Sequence, residues 1–433
     1  MNLAITVRHM RILRALSRRW RRRVIFMAGG LVVGGAAVGL ALAADGAQHA
    51  FHQLLRHYPL GAFVVTPLGF ALTAWLARRY FPNTQGSGIP QAIAARQYKT
   101  TEERSRFVSM RIAAGKVLLT LMGLLVGAST GREGPTVQVG ASIMFAIGRL
   151  TPNRQPGLIL AGAAAGLAAA FNTPLAGIVF AIEEMSRSFE VRTSGLIIGA
   201  VILGGMTSLA LLGDYTYFGS TASMLAYGTD WLAIPFCGLL GGLLGGLFSR
   251  ILIAAADGFP ALKLNWLTRR PVLFALGCGL AVAVCGFFSG GDVYGTGYAQ
   301  AKGVLHETAT LPIAFMPLKF IATVASSISG IPGGIFSPSL SVGAGFGADV
   351  ARFFPSAPMG AIVLLGMVSY FAGVVQAPIT AFVIVSEMTD NHAMLVPLMA
   401  AALIAHAASR LVCREGVYHA LAKRFLPDGP YRR

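Results

Sequence analysis

Three short segments interrupt otherwise apolar sequence: Gly86-Ser87-Gly88-Ile89-Pro90, Gly131-Arg132-Glu133-Gly134-Pro135, and Gly334-Ile335-Phe336-Ser337-Pro338 with Gly333 before it. Each sets glycine ahead of a proline suited to the first turn of a helix. A helix start exposes backbone N–H groups and carries about half a positive charge, so it attracts an anion without help from lysine or arginine. Several such starts converging inside a membrane would hold an anion through partial charges and still release it, whereas a full countercharge would trap it. Ser87 adds a hydroxyl donor at one of them. Taken singly, each segment also fits an ordinary helix-initiating turn in a loop.

Glu133 is the anomaly, a carboxylate within a segment suited to anions. Ionised, it would compete with a permeant anion and block; protonated, it would leave. An acid within a membrane segment is costly and marks function by default; a salt bridge to Arg132 is the alternative. Glu183 and Glu184 close the apolar run 157–182 ahead of Met185-Ser186-Arg187, where a solvated helix end reads equally well. Lys116 lies inside an apolar stretch and supplies either positive potential or a structural pair. Tyr418, in Gly416-Val417-Tyr418-His419, follows the last apolar run, a place where an aromatic fits the membrane interface.

The elements that must position these residues are membrane helices. Apolar residues make up 55% of the 433, and only 12% are charged, against about 25% in a soluble domain. The clearest apolar runs are 24–44, 61–77, 117–129, 157–182, 196–212, 231–255, 271–289, 311–325 and 392–412. Several fall short of the roughly 20 residues that span a bilayer, which predicts an all-α polytopic bundle with tilted and broken helices. The net charge of +18 would suggest a nucleic-acid partner in a soluble protein, but here it gathers at the ends. Arg8, Arg11, Arg14, Arg18, Arg19, Arg21, Arg22 and Arg23 precede the first run; Arg410, Arg414, Lys423, Arg424, Arg432 and Arg433 end the chain. Basic flanks stay cytoplasmic, so both termini are expected there and no nucleic acid is. The N-terminus, with Ala41-Leu42-Ala43, resembles a signal peptide, yet its apolar run exceeds the usual ~7–15 residues and reads as the first membrane helix. Cys237, Cys278, Cys285 and Cys413 have no paired short spacing and the eight histidines are scattered, so neither a disulfide framework, a metal nor a cofactor is expected. An enzyme lacks support: there is no His-Glu-x-x-His, no Gly-x-Ser-x-Gly and no plausible Ser-His pairing.

An internal repeat organises the chain. Gly131, Pro135 and Val139-Gly140-Ala141 match Gly334, Pro338 and Val342-Gly343-Ala344 at an offset of 203. Gly162, Pro174 and Glu183 match Gly366, Pro378 and Glu387 at 204, and Gly86-Ser-Gly matches Gly295-Thr-Gly at 209. Small residues recur in membrane helices anyway, but that leaves the paired prolines and glutamates unexplained. The expected organisation is a basic segment 1–23, halves 24–215 and 216–413, and a short cytoplasmic segment 414–433. Such halves often run inverted, with the substrate site at their interface, where interrupted segments correspond. The pairing of Glu183 with Glu387 gives Glu183 a structural role and leaves Glu184 the freer of the two.

These segments, in order and spacing, resemble the three filter motifs of CLC chloride channels and proton/chloride exchangers. Pro174-Leu-Ala-Gly177, Glu183-Glu184-Met185 and Glu387-Met-Thr-Asp390 fit as well, and the resemblance covers nearly the whole chain after its arginine-rich start. It implies an inverted-repeat subunit with its own pore, paired as a homodimer in a bacterial inner membrane, with chloride and protons as substrates. By resemblance, Ser87 and Tyr418 coordinate the central chloride through side chains, and Ile335 and Phe336 through backbone N–H groups. Glu133 is similar to the gating glutamate that accepts external protons, Glu184 to the internal proton glutamate, and Lys116 to a buried lysine. An acid at the internal position favours exchange over passive conduction, and serine at 87 favours chloride over fluoride or nitrate. The chain departs from the best-studied bacterial exchangers at Gln91, Ala92 and Ile93, where they carry acids, one supporting the internal proton route; a passive chloride channel is the alternative. The nucleotide-sensing module of many relatives is expected to be missing, because the sequence stops soon after Tyr418.

Overall fold

The long apolar runs are helical in the computed structural model, which describes residues 2–149, 151, 154–186, 191–213, 215–258 and 270–426. Arg187, Arg432 and Arg433 lie outside the described residues, as do the side chains of Arg8, Arg11, Arg14, Arg18, Arg19, Arg21 and Arg22. The first half contains α1 (Asn2–His57), α2 (Ala62–Arg79), α3 (Ile89–Gln97), α4 (Thr101–Ser105), α5 (Met110–Leu125), α6 (Glu133–Gly148), α7 (Gln155–Phe171), α8 (Pro174–Phe180), a π-helical turn (Ala181–Ser186) and α9 (Val191–Leu212). The second contains α10 (Ala233–Ala256), α11 (Pro271–Phe288), α12 (Tyr298–Leu305), α13 (Phe315–Ile328), α14 (Phe336–Ala351), α15 (Met359–Val375), α16 (Pro378–Thr389), α17 (Leu395–Val412) and α18 (Val417–Ala422). Among the described residues, 7 helical stretches are long and apolar enough to cross a bilayer.

The shorter helices α7 and α15, 17 residues each, are buried on nearly every side. At 1.5 Å per residue each is roughly 25 Å long, short of the ~30 Å hydrocarbon core. Helices apolar all round belong inside a protein, and these two form the centre against which α6 and α14 pack. Glycine permits the contact. A Cβ on Gly140 would meet the Gly162 carbonyl oxygen at 2.3 Å, and in the other half a Cβ on Gly366 would meet that of Gly343 at 2.5 Å.

The run 157–182 is not one helix. It breaks at Asn172, in the left-handed region at φ 55, and at Thr173 before Pro174, giving α7, α8 and the π-helical turn. The second half repeats the break at Gln376, φ 56, before Pro378. The Ala41-Leu42-Ala43 stretch lies within α1, which continues to His57.

The repeat is an inverted one about a two-fold axis. Gly131 donates its N–H to the Gly334 carbonyl (2.8 Å) and Gly334 donates to that of Gly131 (2.7 Å), an antiparallel bridge between equivalent residues. Equivalent residues can exchange bonds in this way only across such an axis. The turns beside it are copied too: Gly86 N–H reaches Ile331 O at 3.1 Å and Gly295 N–H reaches Ala128 O at 3.1 Å.

Candidate functional site

The three sequence segments each end in a helix start. Gly88, at φ 96, introduces α3; Glu133 is the first residue of α6, and Phe336 the first of α14. The first turn is tied down by Lys116 on α5, fully buried, whose Nζ donates to Thr84 O (2.7 Å) and Gly86 O (2.6 Å). Lys116 is therefore a structural clamp. Lys319 on α13 clamps the equivalent turn, donating to Val293 O and Gly295 O at 2.9 Å each. Sequence reasoning missed Lys319, although it stands at the same 203-residue offset from Lys116.

Ser87 and Tyr418 come together from opposite ends of the chain. Their hydroxyls are buried and approach each other, and neither has a protein hydrogen-bond partner beyond that contact, an arrangement that buried polar groups avoid unless a ligand or water completes them. With Ile335 they line a cavity of about 440 Å³ whose wall also includes Arg78, Gln91 and Arg424. Gly134 must be glycine here, since a Cβ would stand 2.3 Å from Ser87 Oγ. Among the described residues no backbone acceptor outside the helices takes the amide hydrogens of Ile335 or Phe336. The Phe336 ring is fixed by Phe371, Phe180 and Tyr418, with centroids 4.9, 5.9 and 6.0 Å away. The ring is thus packing, and the N–H groups at the helix start are the part left for an anion.

Glu133 is completely buried, and its Oε1 accepts from Ser337 Oγ at 2.5 Å. Oε2 has no side-chain donor, and the backbone N–H groups of Glu133 and Ser337 face the carboxylate. The alternative of a salt bridge to Arg132 gives way to a different pairing. The Arg132 guanidinium turns to α1, where it meets Asp45 Oδ1 at 2.7 Å and Ala41 O at 2.5 Å.

The adjacent glutamates separate in role. Glu183 accepts from Ile379 N–H (3.1 Å) and Thr380 N–H (2.6 Å) at the start of α16. Glu387 returns the favour, accepting from Leu175 N–H (3.1 Å) and Ala176 N–H (2.8 Å) at the start of α8. This reciprocity is the structural role inferred from the repeat. Glu184 sits on the π-helical turn, buried, with Oε1 3.8 Å from His419 Nε2; the same ring nitrogen lies 2.6 Å from the Glu184 carbonyl oxygen. Arg96 of α3 steadies the turn by donating to Met185 O and to Ser186 Oγ. Single π-turns inside helices concentrate at functional sites. Neither Arg96 nor His419 was evident beforehand, though His419 directly follows Tyr418.

A family model described as voltage gated chloride channel matches residues 69–410. The chain belongs to the CLC family. Among CLC proteins it is similar to the H(+)/Cl(-) exchange transporter ClcA of Yersinia pseudotuberculosis serotype IB, 32% identical over 429 residues, covering 92% of this chain and 86% of that one. ClcA of Vibrio parahaemolyticus is 31% identical over 398 residues, covering 86% and 82%. Of solved CLC structures, a slow cyanobacterial Cl-/H+ antiporter superposes with a TM-score of 0.78 at 27% identity, covering 93% of this chain and 97% of that one. A CLC-type fluoride/proton antiporter, at 20% identity and a TM-score of 0.77, shares the fold, covering 92% and 96%.

Proposed function

We propose that this chain is a secondary transporter exchanging chloride for protons, with Glu133 as the gate. The observation that carries the reading is a buried carboxylate at a helix start, near two buried hydroxyls that have no protein partner beyond each other. The central chloride takes the Ser87 and Tyr418 hydroxyls and the N–H groups of Ile335 and Phe336. Ionised Glu133 occupies the outer end of that path; a proton from outside neutralises it and frees the place for chloride. Glu184, buried on its π-turn beside His419, hands protons to and from the cytosol. No bond of the substrate is made or broken, so the protein is a transporter rather than an enzyme. The reading includes a homodimer in a bacterial inner membrane, halves of 24–215 and 216–413, and both termini cytoplasmic, consistent with the basic ends.

The purified protein in liposomes under crossed chloride and pH gradients tests this. Uphill proton movement driven by chloride is expected, with a reversal potential that moves with the pH gradient. A reversal potential fixed at the chloride equilibrium value would sink the exchanger. One observation favours a passive chloride channel instead: Gln91, in the cavity wall, is neutral, its Nε2 spent on Gln85 O at 2.6 Å, and Ala92 and Ile93 follow it. Unitary chloride currents without proton flux would establish that second reading.

A further inference from the structure

Ser337 was expected only as part of a filter motif, yet its hydroxyl does something the motif does not require. It stands second in α14, 3% exposed, and crosses the two-fold axis to reach the Glu133 carboxylate of the other half. The hydroxyl donates to Oε1, and a hydroxyl bound to a carboxylate holds its ionised form more strongly than its neutral one. Behind it lies Tyr217, 4% exposed, whose OH is 3.4 Å from Ser337 Oγ. Because the Ser337 proton is committed to the carboxylate, Tyr217 is the donor in the second contact. Both hydrogens then point toward Glu133, and hydrogen bonds chained in one direction polarise one another.

The chain is held rigidly. The Tyr217 ring stands edge-on to Phe171 (5.2 Å), Phe218 (5.0 Å) and Tyr298 (5.0 Å), and the Tyr298 OH donates to Tyr217 O at 2.8 Å. The backbone N–H groups of Glu133 and Ser337 also face the carboxylate, but they are main-chain donors that stay in place whatever side chain stands at 337. Arg132, the neighbouring cation, is bound to Asp45 of α1; Ser87, just ahead of α3, and Tyr418 of α18 approach from the cavity side and belong to the central site. We infer that Ser337 and Tyr217 form an outer latch, a pair of positioning residues that hold the ionised Glu133 carboxylate in the filter and set the external acidity needed to release it. The inference rests on Glu133 being the gate and adds what holds the gate shut. The bond is strong only while Glu133 is charged, so a proton arriving from outside both neutralises the acid and loosens its hold.

The test is chloride efflux from liposomes containing the full chain, measured against external pH, with proton movement followed in the same vesicles. Ser337→Ala removes the hydroxyl donor and keeps the backbone N–H at 337, so the carboxylate takes up its proton more readily. The pH of half-maximal efflux should rise by about one unit, a tenfold easier release. Tyr217→Phe keeps the ring and should shift the profile in the same direction by less. Ser337→Thr should restore the original midpoint, as loss of mere packing would not predict. In a Glu133→Gln background, Ser337→Ala should change nothing in the pH response, because the latch has no charge left to hold. An unchanged midpoint in Ser337→Ala, or in Tyr217→Phe should Ser337→Ala fail to assemble, overturns the latch. So does an equal shift in the Glu133→Gln background. If the wild type conducts chloride without moving protons, the exchange reading fails, while the acid dependence of efflux still decides the latch.

Discussion

The two halves share a scaffold and differ in chemistry. Lys116 and Lys319 clamp equivalent turns, Glu183 and Glu387 cap each other's helices, and Gly131 and Gly334 meet on the axis. Where a side chain could meet an ion, the copies diverge. Glu133 opens α6 but Phe336 opens α14. Ser87 leaves its hydroxyl open, whereas the Thr296 N–H donates at 2.9 Å to Gln48 Oε1 of α1, which lies 3.3 Å from the Thr296 hydroxyl. Gly134 leaves room for Ser87, and its counterpart Ser337 reaches across to Glu133. The repeat supplies a framework twice over, and the proposed ion path lies at the positions where the copies do not match.

Breaking that asymmetry at its strongest point should have the largest effect. Glu133→Ala should leave chloride flux but remove proton coupling and acid gating entirely, as read by proton uptake under a chloride gradient; coupling that survives would remove Glu133 from the gate. Next, Glu184→Gln should lower proton transport by more than about tenfold while chloride flux stays within about twofold, since a buried acid that carries protons cannot be replaced by an amide. Intact coupling there would send the proton route elsewhere. A matched pair sharpens the contrast at the ligand: Ser87→Ala should weaken chloride binding about tenfold, the cost of one hydrogen bond to an anion, and Thr296→Val should leave it unchanged in the same calorimetric titration. The smallest effect should come from the shared scaffold. Glu183→Gln and Glu387→Gln should each cost about 1–2 kcal/mol of stability, by similar amounts and without altering coupling ratios; a large difference between them in thermal inactivation would mean the halves are not equivalent here.

Much of this was legible in the sequence, for identifiable reasons. Glycine before proline announces a helix start locally, so the filter segments could be read from a few residues each. The repeat converted isolated residues into pairs, which is how Glu183 acquired a structural role before any contact was known. What could not be read depends on which faces of distant helices meet. Nothing near Arg132 indicates that it turns to Asp45 of α1 rather than to Glu133, and nothing near Ser337 indicates a carboxylate 204 residues away. The break of the run 157–182 was signalled by Asn172-Thr173-Pro174, but hydropathy averaged over it. Lys319 was hidden only because the repeat was aligned on glycines and prolines and not followed through the helices between.

The reciprocal capping by Glu183 and Glu387 also bears on how the protein is made. The carboxylate that completes α8 is synthesised 204 residues after its opposite number. At ~5–20 residues per second that is a delay of roughly 10–40 s, during which the newly inserted first half waits in the bilayer with the Leu175 and Ala176 amides uncapped and its axial glycine without a mate. Neither half is a finished object alone. A first half expressed alone should therefore be cleared from the membrane faster than the full chain, its α8 amides lacking the carboxylate that completes them.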